Sequence, residues 1–173
     1  MYQLAPLAVM APVGRQAVLK LLEQDRQTQQ PVLARGAGTS LTGQSIGKAV
    51  ILETARHLNS ILELNLEEDW VREQPSLVCA ELNAYLAPHG VHFAPDPATL
   101  DRACIGGMIA NNSAGMRTVR YGMTIDHLLG LDLVLATGEE LCLGPLDAAA
   151  QLAAKLKQSD LEGAFNLAKL ICR

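Results

Sequence analysis

The stretch P-V-L-A-R-G-A-G-T-S-L-T-G-Q-S, residues 31–45, places a short apolar run directly before a loop rich in glycine. Val32 to Ala34 is predicted to be a buried strand, and Gly36, Gly38 and Gly43 follow it. Glycine lets the main chain adopt positive φ and lets a ligand approach the backbone closely. The pattern therefore predicts a loop whose main-chain amides bind a large, negatively charged group.

Two common phosphate-binding motifs do not fit this loop. The dinucleotide fingerprint that would start at Gly36 requires glycine at position 41, where the chain has leucine. The P-loop spacing from Gly38 to Gly43 is correct, but Gln44 replaces the required lysine. Both motifs also open a helix, whereas residues 45–48 lead into another predicted strand.

A strand-loop-strand with an anion-binding nest remains as the functional interpretation. Thr39, Ser40 and Thr42 would add hydroxyl donors to the backbone amides. The structural alternative is a flexible hairpin loop, because glycine and serine are also common in ordinary turns.

Composition indicates a globular domain and argues against several functional classes. The chain has 173 residues, 49% of them apolar and 18% charged, with a net charge of −4. The acidic balance and the 3% of aromatic residues do not favour nucleic-acid binding. We expect no transmembrane segment, because the apolar runs are much shorter than the ~20 residues that a membrane helix needs.

The cysteine pattern predicts reduced thiols rather than a metal site or disulfides. The four cysteines are scattered, without a C-x-x-C pair or a neighbouring histidine at ligand spacing: Cys79, Cys104, Cys142 and Cys172. Together with an N-terminus that lacks the features of a signal peptide, this predicts a cytoplasmic protein.

Predicted strands alternate with predicted helices along the chain. Helices are expected at Arg15 to Gln29, at Ser76 to Ala87 with Ser76 as the cap, and through residues 146–173. Short runs of apolar and β-branched residues predict strands at 7–10, 32–34, 49–52, 61–64, 70–73, 91–94, 129–136 and 141–143. This order predicts an α+β or α/β domain.

A second segment that is rich in glycine and small polar residues lies at 95–122. It belongs to a predicted irregular stretch, residues 95–124, whose only short apolar run is 105–110. Irregular segments this long are uncommon in compact domains unless they are functional. Two such segments predict a long ligand that is held from both sides; Arg117 and Arg120 could face phosphate or simply be solvated.

Several ordered motifs resemble the FAD-binding domain of the vanillyl-alcohol oxidase / p-cresol methylhydroxylase superfamily. Besides residues 31–45 they are H-L-N-S-I-L-E-L at 57–64, A-E-L-N-A-Y-L-A-P-H-G at 80–90, G-G-M-I-A-N-N-S-A-G at 106–115 and L-D-L-V-L-A-T-G-E at 131–139. The branch that the chain resembles most contains D-lactate dehydrogenase and glycolate oxidase, including versions fused to an iron–sulfur domain. The similarity extends from Leu4 to about Leu143.

The resemblance implies the PCMH-type FAD-binding fold, with two small α/β subdomains and FAD between them. The FAD-binding domain would be residues 1–145, with subdomains of about 1–56 and 57–145, and residues 146–173 would be a truncated helical continuation. The residues implied to contact FAD are Arg35, Gly36, Ala37, Gly38, Thr39, Ser40 and Leu41 in the first loop, and Asp96, Pro97, Thr99, Gly106, Gly107, Asn111, Asn112, Ser113 and Ala114 in the second.

The chain departs from the family pattern in three ways. The first loop lacks the histidine that binds flavin covalently in some relatives, so FAD is expected to be held non-covalently. Ser76 stands where relatives commonly have glycine. Relatives also continue past a segment like 166–171 into a substrate-binding domain, whereas this sequence ends at Arg173.

The implied function is the FAD-binding portion of a flavin-dependent oxidoreductase that acts on 2-hydroxy acids. The alternative is a truncated module that binds the nucleotide without catalysis, and a flavin reductase of cell-wall precursor synthesis is disfavoured by the sequence of the first loop. The resemblance also implies an iron–sulfur domain or subunit as partner, as in the fused versions of the branch. The catalytic base is unknown, since none of the four histidines, at 57, 89, 92 and 127, stands out.

Overall fold

The computed structural model describes residues 4–144 and the backbone of residues 164–171. Within these ranges the helices are α1 (Arg15–Thr28), α2 (Cys79–Leu86), α3 (Ile105–Ala110) and α4 (Thr118–Tyr121), with 3₁₀ turns at Ala87–His89 and Thr124–His127. The strands are β1 (Ala8–Met10), β2 (Val32–Arg35), β3 (Val50–Glu53), β4 (Ile61–Asn65), β5 (Trp70–Glu73), β6 (Leu128–Leu135), β7 (Glu140–Leu143) and β8 (Ala164–Ile171).

The first sheet is parallel and has the order β1-β3-β2. The first three residues of its central strand β3, Val50 to Leu52, are apolar and buried, which is typical of a parallel sheet whose faces are covered. Helix α1 packs on this sheet through Val18 and Leu22, which are four residues apart and contact the cluster that contains Leu52. Strand β2 ends at Arg35, so the glycine-rich loop begins at the carboxyl edge of a parallel sheet.

The second sheet is antiparallel and has the order β4-β5-β8-β6-β7. Helices α2 and α3 cover it, and the larger core of the protein lies between them. Leu82 from α2, Ile105 and Met108 from α3, and Leu133 from β6 are almost fully buried in this core. The core fixes α3, which reaches the glycine-rich loop of the other sheet.

Glu73 is a carboxyl group inside this fold. It lies two residues after the core residue Val71 on β5, and therefore on the same face of the sheet, and it is completely buried. Neither carboxyl oxygen has a hydrogen-bond partner among the described residues. Burial raises the pKa of Glu73 well above its ordinary value, so the group is stabilised in its neutral form.

The prediction that Ser76 caps a helix is wrong. Helix α2 begins at Cys79, and the Ser76 hydroxyl lies 2.6 Å from Thr54 Oγ1 instead. Two of the first amides of α2 are satisfied by backbone carbonyls, since Cys79 N donates to Ala103 O at 2.9 Å and Ala80 N to Leu100 O at 3.1 Å. Tertiary contacts thus replace the side-chain cap.

The strand predicted at residues 91–94 is not formed. The Phe93 amide donates to Asn83 Oδ1 at 2.7 Å, and Asn83 Nδ2 donates to the Phe93 carbonyl at 3.1 Å. The amide side chain of Asn83 therefore satisfies the backbone groups that a neighbouring strand would otherwise pair.

The stretch predicted to be irregular, 95–124, contains helices α3 and α4. Paired glycines lower helix propensity, which is why the sequence of α3 does not predict a helix. Burial of Ile105 and Met108 in the core overrides this preference.

The prediction of helix through residues 146–173 is wrong where the structure can be compared with it. Residues 164–171 form strand β8, which pairs with β5 on one side and β6 on the other. Alanine, leucine and lysine favour helix. Here the main-chain groups on both edges of the segment pair instead with neighbouring strands. Residues 145–163, 172 and 173 lie outside the described residues.

The remaining predicted helices and strands are confirmed to within one or two residues, and so is the α+β class. The change from one sheet to the other falls between Glu53 and Ile61. The division into two subdomains with FAD between them stays a prediction. Among the described residues, no helix has the length and apolar character that crossing a membrane requires.

Candidate cofactor-binding site

A cleft of about 440 Å³ separates the glycine loop, residues 36–45, from the segment of residues 99–113. Strand β2 and the glycine loop form one wall, and the segment that contains α3 forms the other. The volume lies within the range of ligand-binding pockets, roughly 300–1,000 Å³. The residues that line it are 32–40, Gln44, Ser45, Thr99, Ala103, Cys104, Gly107, Met108, Ala110, Asn111 and Ser113.

The glycine loop depends on backbone conformations that other residues adopt at a cost. Gly38 has φ of +68° and Gly43 has φ of +91°. A Cβ on Gly38 would lie 3.5 Å from Arg35 Cδ, an ordinary contact, so glycine is favoured there by φ rather than by packing within the protein. Gly38 lines the cleft and Gly43 does not.

The paired glycines of α3 have two different roles. A Cβ on Gly106 would lie 2.7 Å from Pro75 Cβ and 2.8 Å from its carbonyl oxygen, and the Gly106 amide donates to that oxygen at 2.7 Å. Gly107 faces open space and lines the cleft. Gly106 therefore permits close packing, while Gly107 leaves room for a ligand.

The two walls of the cleft are joined by a hydrogen bond. Asn111 Nδ2, at the C-terminal end of α3, donates to Ser40 Oγ in the glycine loop over 3.4 Å. Both residues line the cleft. The contact shows that the two loops singled out in the sequence do meet in space.

The structure brings most of the predicted site residues to the cleft. Those that line it are Arg35, Gly36, Ala37, Gly38, Thr39, Ser40, Thr99, Gly107, Asn111 and Ser113. The predicted residues that are not part of its lining are Leu41, Asp96, Pro97, Gly106, Asn112 and Ala114. Their contact with a cofactor stays a prediction, and the structure gives several of them another role.

Asp96 holds the chain that follows α3. Its carboxylate accepts the Arg117 amide at 3.1 Å and pairs with Arg117 Nε at 3.5 Å. A Cβ on Gly115 would overlap the carbonyl and carboxylate oxygens of Asp96. Asn112, at φ of +45°, accepts the Ile125 amide on Oδ1 at 3.0 Å. Both polar side chains thus order the loop between α3 and β6.

The arginines and histidines of this region have partners away from the cleft lining. Arg117 pairs with Asp96, and the Arg120 guanidinium lies 5.1 Å above the centre of the Tyr121 ring. His127 Nε2 lies 2.7 Å from the Tyr121 carbonyl oxygen. These contacts favour the interpretation of the two arginines as loop residues rather than phosphate ligands.

Sequence reasoning did not assign several residues that line the cleft. Gln44 and Ser45 belong to the lining, although in the sequence they match only positions of a P-loop motif that this loop does not form. Cys104 precedes the paired glycines and lies under the glycine loop, 3.1 Å from where a Cβ on Gly36 would be. The signal for Cys104 was its position beside the glycines, but a lone cysteine is more often a core residue.

The charge and donors of the cleft suit an anion. Among the described residues that line it, Arg35 alone carries a formal charge, and it is positive. Thr39, Ser40 and Ser45 add hydroxyl groups to the same lining. A diphosphate fits this donor set, because it accepts hydrogen bonds from amides, hydroxyls and a guanidinium.

The described part of the chain contains no cluster of histidine, cysteine and acidic residues that could hold a metal ion. Burial raises the pKa of the Cys79 thiol to about 12, with Asp96 adding to the shift. Burial also raises the pKa of Cys104. These thiols are therefore protonated at neutral pH and poorly suited to nucleophilic chemistry.

Comparison with known proteins identifies a family and a fold. Residues 6–144 match the family described as the FAD binding domain. The chain is 42% identical over 152 residues to D-2-hydroxyglutarate dehydrogenase of Pseudomonas putida, a match that covers 86% of this chain and 15% of that protein. It is 34% identical over 146 residues to the glycolate oxidase subunit GlcD of Bacillus subtilis, covering 83% of this chain and 31% of that subunit.

A solved structure of alkyldihydroxyacetonephosphate synthase has the same fold. The two superimpose with a TM-score of 0.78 at 21% sequence identity, over 95% of this chain and 31% of that one. This similarity confirms the expected fold, with its helices and strands in a PCMH-type arrangement. The chain spans less than a third of each of these three proteins.

Proposed function

Since this chain belongs to the FAD binding domain family, we propose that its cleft binds the diphosphate of FAD and that the chain forms the FAD-binding part of an oxidoreductase acting on 2-hydroxy acids. FAD is the cofactor of the family, and the cleft supplies a place for its anionic centre. The observation that carries the proposal is the glycine loop at the carboxyl edge of β2, with Arg35 and hydroxyl donors facing the α3 segment across the cleft.

The residues of the cleft bind and orient rather than react. Amides and hydroxyls of the glycine loop would hold the diphosphate, and Gly107 leaves space on the opposite wall. Bound flavin would supply the redox chemistry by accepting a hydride from the substrate carbon. Non-covalent attachment follows from the sequence of the glycine loop, which has no histidine in residues 36–45.

The substrate class is proposed from the relatives. D-2-hydroxyglutarate and glycolate, which two of them are named for, are both 2-hydroxy acids. A 2-hydroxy acid therefore fits the enzyme to which this chain would contribute. A cytoplasmic location and an iron–sulfur partner are further proposals that rest on the sequence alone.

A second candidate is a module that binds FAD without catalysis. One observation favours it: among the described residues that line the cleft, none is histidine, aspartate or glutamate. A general base for the substrate hydroxyl would then have to come from elsewhere.

The two candidates differ in how bound flavin responds to substrate. The natural polypeptide that contains this chain should be purified with FAD and mixed anaerobically with D-2-hydroxyglutarate, D-lactate and glycolate. The proposal predicts rapid, saturable loss of the visible absorbance of oxidised flavin with at least one of them, and no response to the matching 2-oxo acids. Flavin that is bound but stays oxidised with every acid would support the non-catalytic module.

A further inference from the structure

Three buried polar side chains, Thr54, Ser76 and Cys104, form a cluster under the first turn of the glycine loop. We propose that they are positioning residues, which hold this turn in the shape that presents its amides to the cofactor. The expected loss of FAD affinity rests on the proposed function. The expected effect on the order of the loop does not.

Thr54 holds the start of the loop through the last carbonyl of β2. The Thr54 amide donates to Arg35 O at 3.0 Å, and the Thr54 hydroxyl lies 3.2 Å from the same oxygen. This carbonyl immediately precedes Gly36. The direction of the peptide between Arg35 and Gly36 is therefore set by a residue that follows β3.

Ser76 links Thr54 to the segment that leads into α2. Its hydroxyl lies 2.6 Å from Thr54 Oγ1, and both residues are buried. The Ser76 amide donates to Leu58 O at 2.8 Å, which fixes the backbone that carries this hydroxyl. The Ser76 side chain thus connects the parallel sheet to the segment that leads into α2.

Cys104 supports Gly36 from below. A Cβ on Gly36 would lie 3.1 Å from Cys104 Sγ and 3.6 Å from Ser76 Oγ. The backbone at Gly36 therefore packs closely against both side chains. The Cys104 thiol donates a hydrogen bond to Arg102 O over 3.8 Å. Because Cys104 directly precedes α3, the cluster couples the position of the glycine loop to that of the other wall.

The surroundings of the Cys104 sulfur agree with this arrangement. Burial raises the pKa of the thiol, and hydrogen bonds from the Ala37 amide and the Ser76 hydroxyl act in the opposite direction. Glu81 and Glu53 add to the increase of the pKa through their charge. The neutral sulfur therefore faces the amide that follows Gly36, next to the amides that would face the diphosphate.

The test compares variants that remove a hydroxyl with a variant that keeps it. Thr54→Val and Ser76→Ala delete the two hydroxyl groups, while Thr54→Ser retains the one at position 54. Val18→Ala, in the core under α1, is the control for a loss of stability away from the cluster. For each variant, flavin fluorescence gives the dissociation constant for FAD. Relaxation of ¹⁵N gives the order parameters of the amides of residues 36–40.

We expect Thr54→Val and Ser76→Ala each to raise the dissociation constant roughly tenfold, which corresponds to about 1.4 kcal/mol. The order parameters of residues 36–40 should fall from about 0.85 toward values below about 0.6, which are typical of a flexible backbone. Thr54→Ser and Val18→Ala should leave both quantities close to those of the unmodified chain. The double variant Thr54→Val/Ser76→Ala should bind FAD no less tightly than the single variant with the larger dissociation constant, because both hydroxyls belong to one hydrogen-bonded chain.

Two outcomes would separate the inference from the proposed function. Failure of the unmodified chain to bind FAD would contradict the proposed function, while the order parameters would still report on the cluster. Unchanged order parameters in Thr54→Val and Ser76→Ala would overturn the inference, whether or not FAD binds. Equal loss of affinity in Val18→Ala would also overturn it, because the effect would then be one of general stability.

Discussion

Replacing Gly38 with valine is expected to weaken FAD binding strongly, while the fold bears only the strain of a positive φ. At φ of +68°, a residue other than glycine costs roughly 1–2 kcal/mol, and a β-branched residue is the least tolerant of this region. A Cβ at this position would meet the protein only at 3.5 Å or more, so the fold can accommodate it. Because Gly38 lines the cleft, the rest of the side chain would occupy space needed by the ligand.

Gly43→Val is a matched control for this substitution. Gly43 has φ of +91°, has open space around it, and is not part of the cleft lining. Both variants therefore pay a similar backbone cost, but only Gly38→Val obstructs the cleft. Titration of FAD fluorescence should show at least a tenfold weaker affinity for Gly38→Val, about 1.4 kcal/mol, and a smaller change for Gly43→Val. Equal affinities in the two variants would refute the reasoning.

Glu73→Leu is expected to raise the free energy of unfolding at pH 7. Because the pKa of Glu73 is higher in the folded than in the unfolded chain, the stability of the unmodified chain falls by about 1.4 kcal/mol per pH unit as the pH rises from the unfolded toward the folded pKa. Urea titrations across this range should show a flatter profile for the variant than for Glu63→Leu, an exposed control; parallel profiles would contradict the assignment. Gly106→Ala should destabilise the chain by about 1–3 kcal/mol in urea titrations, because its Cβ would meet Pro75, whereas Gly107→Ala should not; equal midpoints would show that the contact is not tight. Acid or heat denaturation should release all bound flavin into the supernatant, since residues 36–45 contain no histidine; flavin in the pellet would indicate a covalent bond.

Local sequence patterns predicted the parts of the fold that depend on local interactions. The strand predicted at 32–34, which the structure extends to Arg35, and the loop after it followed from an apolar run and glycines; α1 followed from the helical spacing of residues such as Val18 and Leu22. The first half of the site could therefore be located from residues 31–45 alone. The family resemblance added the second half, which the motifs at 95–122 by themselves only suggested.

The errors lie where distant residues decide the local structure. The backbone of Phe93 pairs with the side chain of Asn83, ten residues away, so a strand pattern there is misleading. Ser76 has the residue type of a helix cap, but Thr54 is its partner. Residues 164–171 form a strand because β5 and β6 lie on either side of them. Such contacts cannot be read from the spacing of residues within one segment.

The same limit applies to the site. Gly106 and Gly107 are adjacent and identical, yet one packs on Pro75 and the other faces the cleft. Contact of Asp96 with the cofactor stays a prediction, whereas its contacts with the chain at 115–117 could not be predicted from the sequence. Sequence alone identifies the segments that form the cleft. Which residue of a segment lines the cleft and which one packs inside the protein depends on tertiary contacts.

The most direct test of the account is an NMR titration of the ¹⁵N-labelled chain with FAD. Binding in the cleft predicts that amide resonances on both walls shift together and saturate at the same FAD concentration, including Gly38, Thr39 and Ser40 on one wall and Gly107 and Asn111 on the other. The amide resonances of α1, which contributes no residue to the cleft lining, should not shift. Saturable shifts confined to residues outside the cleft, or no shifts at all, would contradict the central claim.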